Sequence, residues 1–276
     1  MPLICLTSPK GGVGKTSLAA GLAHALQRAG RQVLAIDCDP QNALRLHLGL
    51  PITDGAGFVT RLQDRPDWRG CMRTTPAGIA LLPHGETDMR GALAIAALID
   101  RDPEALAGPL RAMLADPSLL VLADTPPGAS AALSVLAPQA ALVLAVLLAD
   151  AASTALIPDI ESGRFLGGGT LGALNGPKLR VVLNQVDRHS RLSVAAAEGV
   201  AAHLGARLVG AVCRDDAVAE ALACQRPVGL HAPSSVAARD IADLAASVLR
   251  ELPPPVAAPP PPPQAVTSPL FPWVRS

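Results

Sequence analysis

The feature that most constrains the fold is a glycine-rich turn between an apolar run and an amphipathic stretch. The apolar run LICLTS (3–8) leads into SPKGGVGKTS, after which leucines recur at Leu18, Leu22 and Leu26 and the pattern stops at Gly30. The run predicts a buried strand, and the i, i+4, i+8 spacing predicts a helix that ends at the glycine. A strand, a glycine-rich turn and a helix in this order are the setting of a phosphate-binding loop, where backbone N–H groups and a helix N-terminus attract anions.

The residue types in this turn match roles in nucleotide binding. Glycines let backbone N–H groups curl around phosphate oxygens, a lysine contacts the β- and γ-phosphates, and a threonine hydroxyl binds Mg²⁺. The strict G-x-x-x-x-G-K-[ST] pattern fails because Pro9 holds its first position, and the match is instead to K-G-G-x-G-K-[ST]. The candidate nucleotide-binding residues are Lys10, Gly11, Gly12, Val13, Gly14, Lys15, Thr16 and Ser17, with Lys15 as the phosphate contact and Thr16 as the metal ligand.

The second lysine of the turn is unexpected in this chain. Of its 23 basic residues only Lys10, Lys15 and Lys178 are lysines, and two of these fall within one six-residue stretch. A compact ammonium on a flexible stem fits among phosphate oxygens where a planar guanidinium does not. The alternative is a pair of solvated surface lysines beside a turn, but the bias favours a role for both lysines at the phosphates.

Further apolar runs predict the rest of the sheet. They occupy 32–37, 119–124, 141–149, 179–186 and 206–212, and helices are predicted at 191–204, 215–225 and 234–250. Runs that are apolar on both faces are typical of parallel strands covered by helices on both sides. We therefore expect one α/β domain over residues 1–252, a mostly parallel sheet with helices on both faces.

The composition changes after Leu252. Residues 253–276 are rich in proline and end in PLFPWVRS, which predicts a polyproline-II or disordered extension. Two interpretations stay open, an unselected flexible tail and an apolar tag on a stiff spacer that docks on a partner or a membrane.

Composition also disfavours several classes of protein. A formal charge of zero argues against strong nucleic-acid binding, and the longest apolar run (140–149) is half the length needed to cross a bilayer. No targeting signal opens the sequence, and five cysteines without a C-x-x-C indicate a reducing, cytoplasmic compartment. No histidine pair with metal-ligand spacing and no G-x-S-x-G is present, which disfavours metal and acyl hydrolases.

With its K-G-G-x-G-K-T string, the chain resembles the MinD/ParA class of P-loop ATPases with a deviant Walker A motif. The resemblance implies a homodimer with ATP sandwiched at the interface, in which Lys10 reaches across to the nucleotide of the other subunit. LAIDCDPQN (34–42) resembles the first switch loop, where Asp37 supports the Mg²⁺ site and Asp39 orients the attacking water. VLADTPPG (121–128) resembles the second, where Asp124 holds Mg²⁺ through a water.

The adenine-binding residues implied by the resemblance lie later in the chain. VLNQVD (182–187) places Asn184 just past a strand, where the class has its adenine-reading asparagine. QRPVG (225–229) resembles the segment that flanks the other side of the base, through Pro227 and Val228.

Within the class, three segments resemble the BcsQ (YhjQ) branch of bacterial cellulose secretion: 67–86, 161–172 and 213–235. This implies a cytoplasmic ATPase, recruited to the inner membrane through cellulose synthase subunits and small accessory proteins, that supports assembly or placement of the secretion complex. Because the two lysines of the phosphate loop and the aspartates of both switch loops are kept, we expect slow, partner-stimulated hydrolysis. The prolines after 234–250 disfavour a MinD-like membrane helix.

Two other functions remain open. One is a ParA-type DNA-partitioning ATPase, for which Arg180, Arg188 and Arg191 could form a small basic patch, although zero net charge makes this electrostatic case weak. The other is a scaffold that holds ATP without hydrolysing it.

Overall fold

The computed structural model describes residues 2–64, 67–166, 172 and 174–253. Within them, eight strands form one sheet in the order β3-β4-β2-β5-β1-β6-β7-β8, and every neighbouring pair except β3–β4 is parallel. The strands are β1 Leu3–Thr7, β2 Gln32–Asp37, β3 Arg73–Thr74, β4 Ala80–Leu82, β5 Leu119–Asp124, β6 Leu142–Leu148, β7 Leu179–Val186 and β8 Leu208–Cys213. The predicted mostly parallel α/β fold is confirmed.

Helices cover both faces of this sheet. They are α1 Lys15–Arg28, α2 Leu44–His47, α3 Met89–Arg101, α4 Glu104–Leu114, α5 Ala131–Leu136, α6 Ala151–Thr154, α7 Ile157–Glu161, α8 Arg191–Leu204, α9 Ala217–Ala223, α10 Val228–His231 and α11 Val236–Glu251. Short 3-10 helices lie at Val59–Asp64, Trp68–Cys71, Ala137–Gln139, Arg164–Leu166, Gly176–Lys178 and Gly205–Arg207.

Strand β1 shows why its sequence is apolar throughout. Leu3 and Cys5 face a core that α4, α5 and α8 cover, whereas Ile4 and Leu6 face a second core beneath α1 and α11. All four side chains are fully buried. A strand covered on both sides buries both of its faces, so its residues are apolar throughout. The strand order places the carboxyl end of β1 near the middle of the sheet.

The predicted helices agree with the observed ones to within a few residues. Helix α8 has the predicted bounds, and α1 ends at Arg28, just before Gly30 with φ 84°. Helix α11 begins after Ser235, whose side chain accepts a hydrogen bond from the backbone N–H of Ala238. The predicted helix 215–225 is shorter, at Ala217–Ala223: the N–H of Ala217 donates to the Asp215 side chain where it begins, and Gln225 has φ 52° just after it ends.

No helix in the described ranges combines the length and hydrophobicity needed to cross a membrane. Residues 254–276, which hold nearly all of the predicted proline-rich extension, lie outside those ranges, as do 167–171 of the segment 161–172. The domain boundary at Leu252 therefore stays a prediction.

Candidate functional site

The glycine-rich turn lies at the carboxyl end of the central strand β1 and leads directly into α1. Gly12 and Gly14 have φ of 77° and 76°, in the left-handed region that favours glycine. A Cβ on Gly14 would also lie 2.7 Å from Nδ2 of Asn184. That same Nδ2 donates to the backbone oxygen of Val13 at 2.8 Å. The structure thus joins the predicted phosphate loop to the predicted adenine-reading asparagine.

Lys15 extends from the first turn of α1 to the end of β5. Its Nζ lies 2.5 Å from Oδ1 of Asp124, and the two side chains are 6% and 0% exposed. Oδ2 of Asp124 is buried without a hydrogen-bond partner among the described residues. The predicted phosphate contact and the predicted metal-site carboxylate are therefore direct neighbours.

Asp37 is the second buried carboxylate of the site. It is paired in register with Asp124 across β2 and β5, and its oxygens accept the backbone N–H groups of Asp39 and Leu44, each at 3.0 Å. Burial raises the pKa of Asp37 well above its ordinary value, and the charge of Asp124 adds to the rise. Burial raises the pKa of Asp124 as well, although the Lys15 ammonium opposes the change. Two adjacent buried carboxylates with raised pKa values favour a bound cation or proton.

The oxygen atoms around this pair fit a hydrated Mg²⁺, which prefers oxygen ligands and keeps several waters. Besides Oδ2 of Asp124, the hydroxyls of Thr7 and Ser8 and the amide of Asn42 are buried without partners among the described residues. Asp39 is buried nearby, with Oδ1 accepting the backbone N–H of Gln41 at 2.9 Å. Magnesium bound here would be held by Thr16, with Asp37 and Asp124 beside it, since no three carboxylate, histidine or cysteine side chains of the described residues come together as direct ligands.

The loop after β5 is attached to the phosphate loop by main-chain groups. The backbone N–H and the hydroxyl of Thr125 both donate to the backbone oxygen of Leu6, at 3.2 and 2.8 Å. The backbone N–H of Gly128 donates to the backbone oxygen of Ser8 at 2.7 Å. A displacement of either loop therefore has to involve the other.

Lys10 is placed quite differently from Lys15. Its Nζ lies 3.2 and 2.9 Å from the two carboxylate oxygens of Asp150, and the side chains are 28% and 38% exposed. Asp150 also caps α6, accepting the backbone N–H of Ser153 at 2.6 Å. Although burial opposes it, the pKa of Asp150 is lowered, because this N–H and the Lys10 ammonium favour the charged form. Sequence reasoning missed Asp150, whose signal is a carboxylate directly after a buried strand.

Asn184 borders a cavity of about 330 Å³ next to the phosphate loop. The residues that line it include Ser17, Gln185 and Val212, together with the loop Cys213, Arg214, Asp215 and Asp216. Pro227 and Val228 are buried, and Val228 lines a neighbouring cavity between α1 and α11 that shares Ile241 with the first. Loop 213–216 lies beside Asn184 in the cavity, and the base-flanking role of Pro227 and Val228 stays a prediction.

Loop 213–216 is held in place from α11. Oδ2 of Asp240 accepts the backbone N–H of Cys213 at 2.8 Å. The two carboxylate oxygens of Asp215 accept the N–H groups of Ala217 and Ala237, each at 3.0 Å. The cavity is thus bordered by a loop whose backbone is fixed by charged acceptors.

Known proteins resemble the chain at several levels. Residues 1–249 match the family model described as cellulose biosynthesis protein BcsQ. BcsQ of Salmonella typhi is 40% identical over 86 residues, which are 31% of this chain and 34% of that relative, so the chain spans about a third of the relative's length. The chromosome partitioning protein ParA of Caulobacter vibrioides (strain NA1000 / CB15N) is 31% identical over 259 residues, 90% of this chain and 93% of that protein. The septum site-determining protein MinD of Pyrococcus horikoshii, complexed with Mg-ADP, has a TM-score of 0.71 at 21% identity, covering 90% of this chain and 95% of that one, and shares the fold.

Proposed function

This chain belongs to the family of the cellulose biosynthesis protein BcsQ, and from that premise we propose that it is a Mg²⁺-dependent ATPase that dimerises around ATP. Its cellular role would be to support the assembly, localisation or regulation of the bacterial cellulose synthase complex. It would reach the inner membrane through subunits of that complex and small accessory proteins.

The observation that carries the proposal is the different placement of the two lysines. Lys15 is buried and its ammonium lies against Asp124, so it serves the site of its own chain. Lys10 is partly exposed, and a surface carboxylate, Asp150, holds it. A lysine on a flexible stem, held by a weak surface ion pair, can exchange that partner for the phosphates of a neighbouring subunit.

The remaining residues support the chemistry of phosphoryl transfer. Lys15 would balance the charge of the β- and γ-phosphates, and Lys10 of the second subunit would add a further cation as charge develops in the transition state. Asp39, fixed through the carboxylate of Asp37, would orient the attacking water. When bound, Mg²⁺ supplies charge neutralisation between the phosphates.

Solution mass by light scattering, with ADP and with ATP, tests the proposal. We expect ATP to convert monomer to dimer, and Lys10→Ala to abolish the conversion or the release of phosphate. Lys178→Ala is the matched control, since it removes the one lysine outside the turn, whose Nζ donates to the backbone oxygen of Pro138. The sandwich mechanism is refuted if the solution mass of wild type is the same with ADP and with ATP and Lys10→Ala leaves phosphate release unchanged.

Phosphate release separates an ATPase from an ATP-bound scaffold. We expect slow release that exceeds that of Lys15→Ala and increases when cellulose synthase subunits are added. Dimerisation with ATP but no release above this variant, even with those subunits, would favour the scaffold. Recovery of the synthase with the ATP-bound wild type, but not with Lys10→Ala, would support the proposed cellular role.

A ParA-type DNA-partitioning function is the second candidate, favoured by the similarity to ParA over 90% of the chain. Of the three arginines considered for DNA binding, Arg180 is engaged with Glu251 at 2.8 Å. Only Arg188 and Arg191 remain for a basic patch, which favours weak binding. Retention on nonspecific DNA that requires ATP and falls steeply with salt would favour this function over the first.

A further inference from the structure

Helix α3 has an apolar face that the rest of the described structure leaves uncovered. Of its 13 residues only Ile99 is fully buried. Met89 is 81% exposed and Leu93 is 66% exposed, and both are large apolar side chains. Ala96 and Ala97 continue the same exposed face by one more turn. Such a face on one helix is typical of an interaction surface.

Charges at the two ends of this face are opposite and free. Arg90 and Asp100 are both exposed, and neither is in an ion pair within the described part of the chain. They are separated by ten residues, about 15 Å along a helix. On an antiparallel copy of the same helix, related by a two-fold axis near residue 95, Arg90 would face the partner's Asp100 and Asp100 the partner's Arg90. Between them, Leu93 would face the partner's Ala97, and Met89, one residue outside the charge pair, would lie beside the partner's Arg101.

We infer that α3 is a self-association surface, on which a second copy of this chain docks by an antiparallel α3–α3 contact. The contact is isologous, since the same residues serve both sides. Alanines at 94, 96 and 97 allow the two helices to approach closely, Leu93 supplies apolar area at the centre, and Met89 covers the edge of the contact. The charge pairs set the antiparallel direction.

This contact is weak by itself. A helix of 13 residues is about 20 Å long, and a pair of such helices buries less than the ~1,200 Å² of a stable stand-alone interface. It becomes effective when the chain is already dimeric through ATP, because each dimer then presents two α3 surfaces. The inference rests on the proposed function to that extent. A chain with two different two-fold contacts forms an open row of dimers, unless the two axes are arranged so that the row closes into a ring.

The test is the weight-average mass as a function of protein concentration, with ADP and with the non-hydrolysable analogue of ATP. In wild type with the analogue, we expect the mass to rise beyond that of a dimer. Arg90→Asp turns both attractive pairs into like-charge contacts and should lower the association constant by about tenfold or more, so that the mass stays at the dimer. Asp100→Arg should do the same, and Arg90→Asp combined with Asp100→Arg should restore growth.

The double variant is the decisive arm, because a folding defect or loss of another partner would not be rescued by the second reversal. Asp243→Arg, on the exposed side of α11, is the matched control with the same charge change as Asp100→Arg, and it should behave as wild type. If the mass stops at the dimer in wild type as well as in every variant, the inference is overturned and the ATP dimer stays intact. If the analogue gives no dimer at all, the proposed function fails, and the α3 contact is then judged from the nucleotide-free samples. There, a concentration-dependent mass that Arg90→Asp removes and the double variant restores supports the contact, and its absence overturns it.

Discussion

Asp150→Asn tests how strongly the cation that we assign to the neighbouring subunit is held on its own chain. The ammonium of Lys10 contacts both oxygens of Asp150, at 3.2 and 2.9 Å, and has to leave them before it can cross an interface. With side chains 28% and 38% exposed, such a pair contributes about 0.2–1 kcal/mol. A symmetric dimer breaks two such pairs, so removing the carboxylate charge should strengthen ATP-dependent dimerisation by about 2- to 30-fold.

Asparagine is the suitable replacement because its side-chain oxygen can still accept the N–H of Ser153 and so keep the cap of α6. The assay is a concentration series by light scattering with the non-hydrolysable analogue, comparing the dimerisation constants of wild type and Asp150→Asn. Asp243→Asn, which removes an exposed carboxylate on α11, is the matched control and should leave the dimerisation constant unchanged. A dimerisation constant that is unchanged or weaker in Asp150→Asn would show that Asp150 does not compete with the interface, and the reasoning would be wrong.

Two further predictions concern stability and are measured by urea unfolding. Lys15→Ala leaves the Asp124 carboxylate buried without its cation and should lower the free energy of unfolding by about 3–5 kcal/mol. Adding Asp124→Asn to this variant should recover most of the loss. An equal loss in the single and the double variant would contradict the pairing. Burial lowers the pKa of His47 to about 4 from its ordinary 6.5, so the unfolded chain takes up the proton first and stability falls as pH drops below 6.5. Between pH 7.5 and 5 this amounts to about 2 kcal/mol, which should disappear from the pH dependence of His47→Gln; an unchanged slope would refute it.

Sequence patterns predicted the centre of this fold well and its periphery poorly. The inner strands are long enough, and apolar enough on both faces, to be recognised without the structure. Strands β3 and β4 have two and three residues, too few for any periodicity to show. Helix α3 was not predicted either, although Asp88 before it is an N-cap whose side chain accepts the N–H of Gly91. Its alanine-rich stretch lacks the charged face by which a surface helix is usually recognised.

The site was predictable where local sequence fixes it, and less so where distant segments meet. The phosphate loop depends on adjacent residues, and the backbone there has the expected glycine conformations. Asp150 and loop 213–216 reach the site only because β6, β7 and β8 lie side by side, which no local pattern states. Pro227 and Val228 follow α9 by a few residues, and the cavity that Val228 lines between α1 and α11 is formed by segments far apart in the sequence.

The connection between the loop after β5 and the phosphate loop is made largely of main-chain atoms. Three hydrogen bonds join Thr125 and Gly128 to the backbone oxygens of Leu6 and Ser8, and only the one from the Thr125 hydroxyl uses a side-chain atom. Genetic drift can thus exchange the side chains at Pro126 and Pro127 without erasing the mechanical link. Relatives with other side chains in this loop should still transmit movement between it and the phosphate loop. A relative that has lost its activity is better identified by changes at Asp37, Asp39 or Asp124 than by changes in the loop.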